Sequence, residues 1–130
     1  MKLTPAKCLT EKEKHVPRYN VRRAAKVTRD LDLIEDYLVQ VYQNLGDDIE
    51  SAIERAQDRI EEAQAYIRTF QDHPHRGTEH LQLIPGIRTV TNKKFIFYFE
   101  IDESRLEVRI LAVFFGGIDH MRQIVDRLRH

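Results

Sequence analysis

Residues Val108 to Phe115, Val-Arg-Ile-Leu-Ala-Val-Phe-Phe, constrain the fold of this chain more than any other stretch. Read with the two-residue period of a strand, Leu106, Val108, Ile110, Ala112 and Phe114 share one face, while Leu111, Val113 and Phe115 line the other. A strand that is apolar on both faces belongs in the middle of a sheet and needs cover on both sides. The rest of the chain must therefore supply neighbouring strands and a covering layer.

Both are legible. Phe95, Phe97, Phe99 and Ile101 point one way and Ile96 and Tyr98 the other, giving a second strand that turns at Asp102-Glu103-Ser104. Pro85-Gly86-Ile87-Arg88 opens a strand before it, and Arg18-Tyr19-Asn20-Val21-Arg22 alternates as an edge strand would, with Tyr19 and Val21 on one side. Between these lie two helical stripes. Thr28 offers an N-cap oxygen, Asp30 and Asp32 fall in the first turn, and Leu31, Ile34, Leu38, Val41 and Leu45 recur at three- and four-residue steps up to Gly46. A second helix starts at Asp47 or Asp48 and carries Ile49, Ala52, Ile53, Ala56, Ile60, Ala63, Ile67 and Phe70, stopping before His73-Pro74. The short link forces an antiparallel hairpin. Gly116-Gly117 breaks the last strand, and Ile118, Met121, Ile124, Val125 and Leu128 predict a final helix, capped by Asp119 with His120 in its first turn. The expected architecture is α+β, β-α-α-β-β-β-α: a helix hairpin on a small, mostly antiparallel twisted sheet, with a short C-terminal helix at its edge.

At 130 residues the chain is one domain, 42% hydrophobic and 32% charged. Residues 1–17 are polar and aperiodic and are expected to form a flexible or loosely docked arm, with the folded domain spanning 18–130. Cys8 is the only cysteine, so no intramolecular disulfide forms, and a cytoplasmic location is expected. No apolar run is long enough to span a bilayer, so no membrane partner is expected. Net charge is zero, which argues against global steering toward nucleic acid. Its distribution is uneven: Arg18, Arg22, Arg23, Lys26 and Arg29 stand without an acid between them, while Asp47, Asp48, Glu50, Glu54, Asp58, Glu61 and Glu62 face only Arg55 and Arg59.

Little in the chain has the spacing of an active site. Ser51 and Ser104 are the only serines, and Gly116-Gly117 lacks the pattern and lysine of a phosphate loop. His73, His75 and His80 lie close in sequence, but a loop with Pro74 and Gly77 reads as surface rather than as a metal site, and no metal or cofactor is expected. Arg88, Lys93, Lys94, His120 and Arg122 are the groups that could gather at one end of the sheet. His120 is suited to act as a base near neutral pH.

The order of elements, with these residues at the joints, resembles the RelE/ParE toxins of type II toxin–antitoxin pairs. Thr28-Arg29-Asp30-Leu31-Asp32-Leu33-Ile34 resembles the family's Ala-x-x-Asp-Leu-x-x-Ile helix opening, which Tyr37-Leu38 continues. Ile87-Arg88 resembles its Leu/Ile-Arg strand, Phe95 to Tyr98 the next strand that ends in tyrosine, and Val108 to Val113 its central strand. The resemblance spans residues 18 to about 125. It implies a toxin neutralised by a cognate antitoxin within a hetero-oligomer. Two activities follow from it. ParE-type members bind DNA gyrase, whereas RelE-type members cut messenger RNA on the ribosome with a basic cluster and an acid–base group.

Phe95 stands where the nucleases carry arginine, and Phe115-Gly116-Gly117-Ile118-Asp119-His120 replaces their basic cluster. The ParE-like reading is therefore preferred, with gyrase as target and Arg22, Arg23, Arg88, Lys93, Asp119, His120 and Arg122 as target- or antitoxin-binding residues. The first alternative is a ribosome-dependent endoribonuclease using His120, Arg88 and Lys94. The second is a non-toxic binding or co-repressor member.

Overall fold

The computed structural model describes residues 17–79, 85–116 and 127. Among the described residues, five strands and two helices follow one another as β1 (Asn20–Arg23), α1 (Lys26–Asn44), α2 (Ile49–Arg68), a 3-10 turn (Thr69–Gln71), β2 (Thr78–Glu79), β3 (Ile87–Asn92), β4 (Phe95–Asp102) and β5 (Glu107–Phe115). They form one mixed sheet in the order β1-β5-β4-β3-β2. Only β1 runs parallel to its neighbour; β2–β3, β3–β4 and β4–β5 are antiparallel. The expected α+β architecture, helix hairpin on a mostly antiparallel sheet, is the one observed. The arm up to residue 16 and the predicted helix from 118, apart from Arg127, lie outside the described residues.

The helix hairpin follows the expected stripes, with corrections at its ends. α1 begins at Lys26, not after a Thr28 cap: Ala25 occupies the N-cap without a side-chain bond, and Val27, already helical, is fully buried. Burial of Val27 outweighs the missing cap. Gly46 takes φ +112°, its N–H bonds Gln43 O, and the Asp47 N–H bonds Tyr42 O, both at 3.0 Å. This paired closure satisfies the last carbonyls and reverses the chain. Asp48 caps α2 by accepting the Ser51 N–H at 2.8 Å. Leu45, Ile49 and Ile53, read from their spacing as core, are exposed.

The main core lies between the hairpin and the sheet. Phe95, Phe97 and Phe99 of β4 pack with Leu31, Ile34, Leu38, Ala56, Ile60, Ala63, Ile67 and Phe70. Phe70 sits edge-on to Phe99 at 4.8 Å between ring centroids, and Tyr66 lies 5.1 Å from Phe97. A second cluster on the opposite sheet face comprises Ile87, Ile96, Tyr98, Leu111 and Ala112, with Phe114 against it.

The strict alternation predicted for β5 is broken. Phe99 pairs with Ile110 but Tyr98 pairs with Ala112, so Leu111 is an extra residue. Such a bulge resets which residues face which side. Val108 and Ile110 face the helices, but beyond Leu111 it is Val113 and Phe115 that do so, and Ala112 and Phe114 turn to the second cluster. β2 is a further addition, falling in the stretch read as surface loop.

Candidate functional site

β1 is an edge strand among the described residues. Asn20 N–H bonds Leu106 O and Ala24 N–H bonds Ile110 O, so even-numbered residues of β1 turn their main chain toward β5. In a parallel ladder the intervening residues turn theirs away. Val21 and Arg23 therefore present N–H and C=O groups outward, while the Tyr19 N–H is taken by Gln71 O at 3.1 Å. Asn20, Val21, Arg22, Arg23, Ile67, Arg68 and Gln71 line a cleft of ≈ 600 Å³ along this edge. An unpaired strand edge beside a groove is the geometry that accepts an added strand.

The charge of the cleft is basic. Arg22 pairs with Glu107 at the sheet's outer surface. Arg23 is exposed and has no counterion among the described residues, and Arg68 has only Glu61 at 3.9 Å. Of the residues predicted for binding, Arg22 and Arg23 thus meet at one surface. Sequence reasoning missed Arg68, Ile67 and Gln71. Arg68 was signalled only as a basic residue in the last turn of a helix.

The other predicted residues lie elsewhere. Arg88, on β3, spends its guanidinium on the chain: Nη2 donates to His75 O at 2.9 Å and Gly77 O at 3.2 Å, and Nε donates to Arg76 O at 3.2 Å. It thereby fastens the loop ahead of β2. Lys93 and Lys94 form the β3–β4 turn, both with positive φ (51° and 75°). Lys93 Nζ stands 3.5 Å from Glu62, and its carbonyl accepts from Arg59 at 2.6 Å. Arg88 pairs with Phe99 while the turn begins after the Asn92–Phe95 pair. That separation of several ladder steps puts Arg88 roughly 13–16 Å from Lys93 and Lys94. The structure does not bring these groups together. Asp119, His120 and Arg122 lie outside the described residues.

Two further polar constellations are built from residues distant in sequence. Asp30, expected at the helix's first turn, is buried instead: Arg127 grips it with both Nη atoms at 2.7 and 2.8 Å, and it accepts the Val113 N–H at 3.0 Å. At the opposite end of the sheet, Glu103 accepts the Tyr19 hydroxyl at 2.5 Å and contacts His75 Nε2 at 2.8 Å. The Tyr19 bond, followed by that from His75, holds the Glu103 carboxyl below the usual range. On β4, burial pushes the Tyr98 hydroxyl up to about 12, far from proton transfer at neutral pH. Among the described residues no group of His, Cys, Asp and Glu side chains could hold a metal ion, and no helix is long and apolar enough to cross a membrane.

No protein-family model and no curated protein matches the chain. Solved structures do. A chain from the chromosomal ParDE TA system of P. aeruginosa superposes with a TM-score of 0.60 at 20% identity, covering 77% of this chain and 98% of that one. The toxin–antitoxin complex RelBE2 of Mycobacterium tuberculosis gives 0.49 at 16% identity, covering 77% and 93%, and the isolated E. coli RelE toxin gives 0.41 at 11%, covering 85% and 98%. The first of these is matched over nearly its whole length. The helix hairpin on a mostly antiparallel five-stranded sheet is thus a fold that this chain shares with the ParDE chain.

Proposed function

We propose that the protein is the toxin of a type II toxin–antitoxin pair, acting by binding in the ParE manner and neutralised by an antitoxin segment seated along β1. The observation that carries the reading is the open edge at Val21 and Arg23 beside a cleft whose uncompensated charge is positive. An extended acidic segment would gain main-chain bonds from the edge and charge-assisted bonds from Arg23 and Arg68. The fold it shares with the ParDE chain supports the same assignment.

The placement of the cations favours a binding protein over a nuclease. Arg88 is committed to three carbonyls, Lys93 is paired, and Phe95, where the nucleases carry arginine, is buried in the core. A phosphate in flight needs donors aimed at one point. The proposed target is DNA gyrase. Antitoxin-free protein mixed with gyrase, ATP and relaxed plasmid should block supercoiling and accumulate double-strand breaks. Normal supercoiling in the presence of verified folded protein would remove gyrase as the target.

A further inference from the structure

The acidic stretch singled out in the sequence has a structural counterpart on α2. Its two arginines are spoken for: Arg55 pairs with Asp47 at 2.6 Å, and Arg59 Nε lies 3.3 Å from Glu62. Glu50, Glu54 and Asp58 are exposed and have no counterion among the described residues. They follow one another at four-residue steps, a row with a repeat of about 6 Å along the helix.

Beside that row runs an apolar one. Ile49 and Ile53, also four residues apart, are 48% and 39% exposed, and Leu45 at the end of α1 is 73% exposed. Single exposed apolar residues are ordinary; three large ones at one turn, next to a row of unpaired carboxylates, are not. The apolar row gains from burial, but a partner that covers it must also meet the carboxylates. That excludes nucleic acid and anionic membrane, and it excludes the acidic segment proposed for the β1 cleft.

We propose that the first three turns of α2 are a docking surface for a basic amphipathic helix of a second partner protein. Such a helix carries its own apolar and lysine or arginine rows at the same 6 Å repeat, roughly, so the two pairs of rows lie side by side. The inference stands on α2 alone and does not depend on the reading of the β1 cleft.

The test uses the full chain and a designed, fluorescein-labelled 16-residue peptide with leucines along one face and lysines beside them. Anisotropy should report one-to-one binding. Ile49→Ser/Ile53→Ser should weaken it at least about tenfold, as should Glu50→Lys/Glu54→Lys/Asp58→Lys, each checked for native circular dichroism. Arg23→Glu, on the other surface, should leave it unchanged. A peptide with the leucines replaced by alanine should lose at least as much as the isoleucine variant. Absence of binding, or equal affinity for the alanine peptide, overturns the proposal, the latter reducing the contact to diffuse charge attraction. So does an affinity unmoved by the charge reversals, a result that stands even if the isoleucine variant fails to fold.

Discussion

Asp30 shows how one side chain can join three parts of a chain. It lies on α1, takes the N–H of Val113 on β5, and receives both Nη atoms of Arg127. Removing one partner of such a pair leaves the other charge without compensation. Asp30→Ala should cost about 2–4 kcal/mol in urea unfolding, below the full buried-pair value because Arg127 is 22% exposed. A double-mutant cycle with Arg127→Met should recover part of the loss. Glu103 offers a pH signature. A carboxyl whose folded pKa is depressed stabilises the fold above its ordinary range, about 4.3 for Glu, and surrenders that contribution as pH falls through the lowered value. The Tyr19 ring resonances should therefore stay native-like at mildly acidic pH and shift only in stronger acid, and Glu103→Gln should abolish that transition. Neither constellation was legible in the sequence. Asp30 and Arg127 are 97 positions apart, Tyr19 and Glu103 84, and nothing local marks a long-range polar pair.

Elements with a strong period were legible, and those decided by exceptions to a period were not. Both helices, β4 and β5 follow from apolar spacing, because core burial enforces that spacing, whereas β3 was marked only by its opening at Pro85-Gly86-Ile87-Arg88. β2 is two exposed residues long and carries no pattern. The facing of β5 beyond Ile110 depends on one extra residue, Leu111, which hydrophobicity alone does not distinguish from its neighbours. Ile49 and Ile53 keep the core spacing yet stand in solvent, which is why a stripe alone overstates a core. The junction of β2 with β3 is equally dependent on one position. Gly77 has φ +80°, and an added Cβ would lie 2.2 Å from Thr89 O. Gly77→Ala should destabilise by about 1–3 kcal/mol and loosen β2, read as faster amide exchange at Thr78 and Thr89. At the core's centre Phe97 is fully buried against Tyr66 and Phe70, so Phe97→Ala should cost about 3–5 kcal/mol.

At the scale of the molecule, the chain separates its charge onto two surfaces while remaining neutral overall. The β1 cleft is basic and the opening turns of α2 are acidic. Reversing Arg23 and Arg68 to glutamate should leave growth arrest intact but defeat rescue by a co-expressed antitoxin, with affinity falling about tenfold to a hundredfold. Loss of arrest with the fold intact would instead assign the cleft to the target. The basic half was legible as a run of arginines before the first helix. Arg68 was not, since only the fold carries the end of α2 to the edge of β1.

The pairing of β1 with β5 also has a consequence in time. β1 finds its place only against β5, about 85 residues later, so a nascent chain that still lacks β5 cannot seat it. Helices α1 and α2 can form early, but the cleft along β1 has no floor until β5 has been synthesised and docked. A cleft that matures only after β5 has docked is closed to any partner until that step, whereas the surface on α2 is ready as soon as the helices have formed.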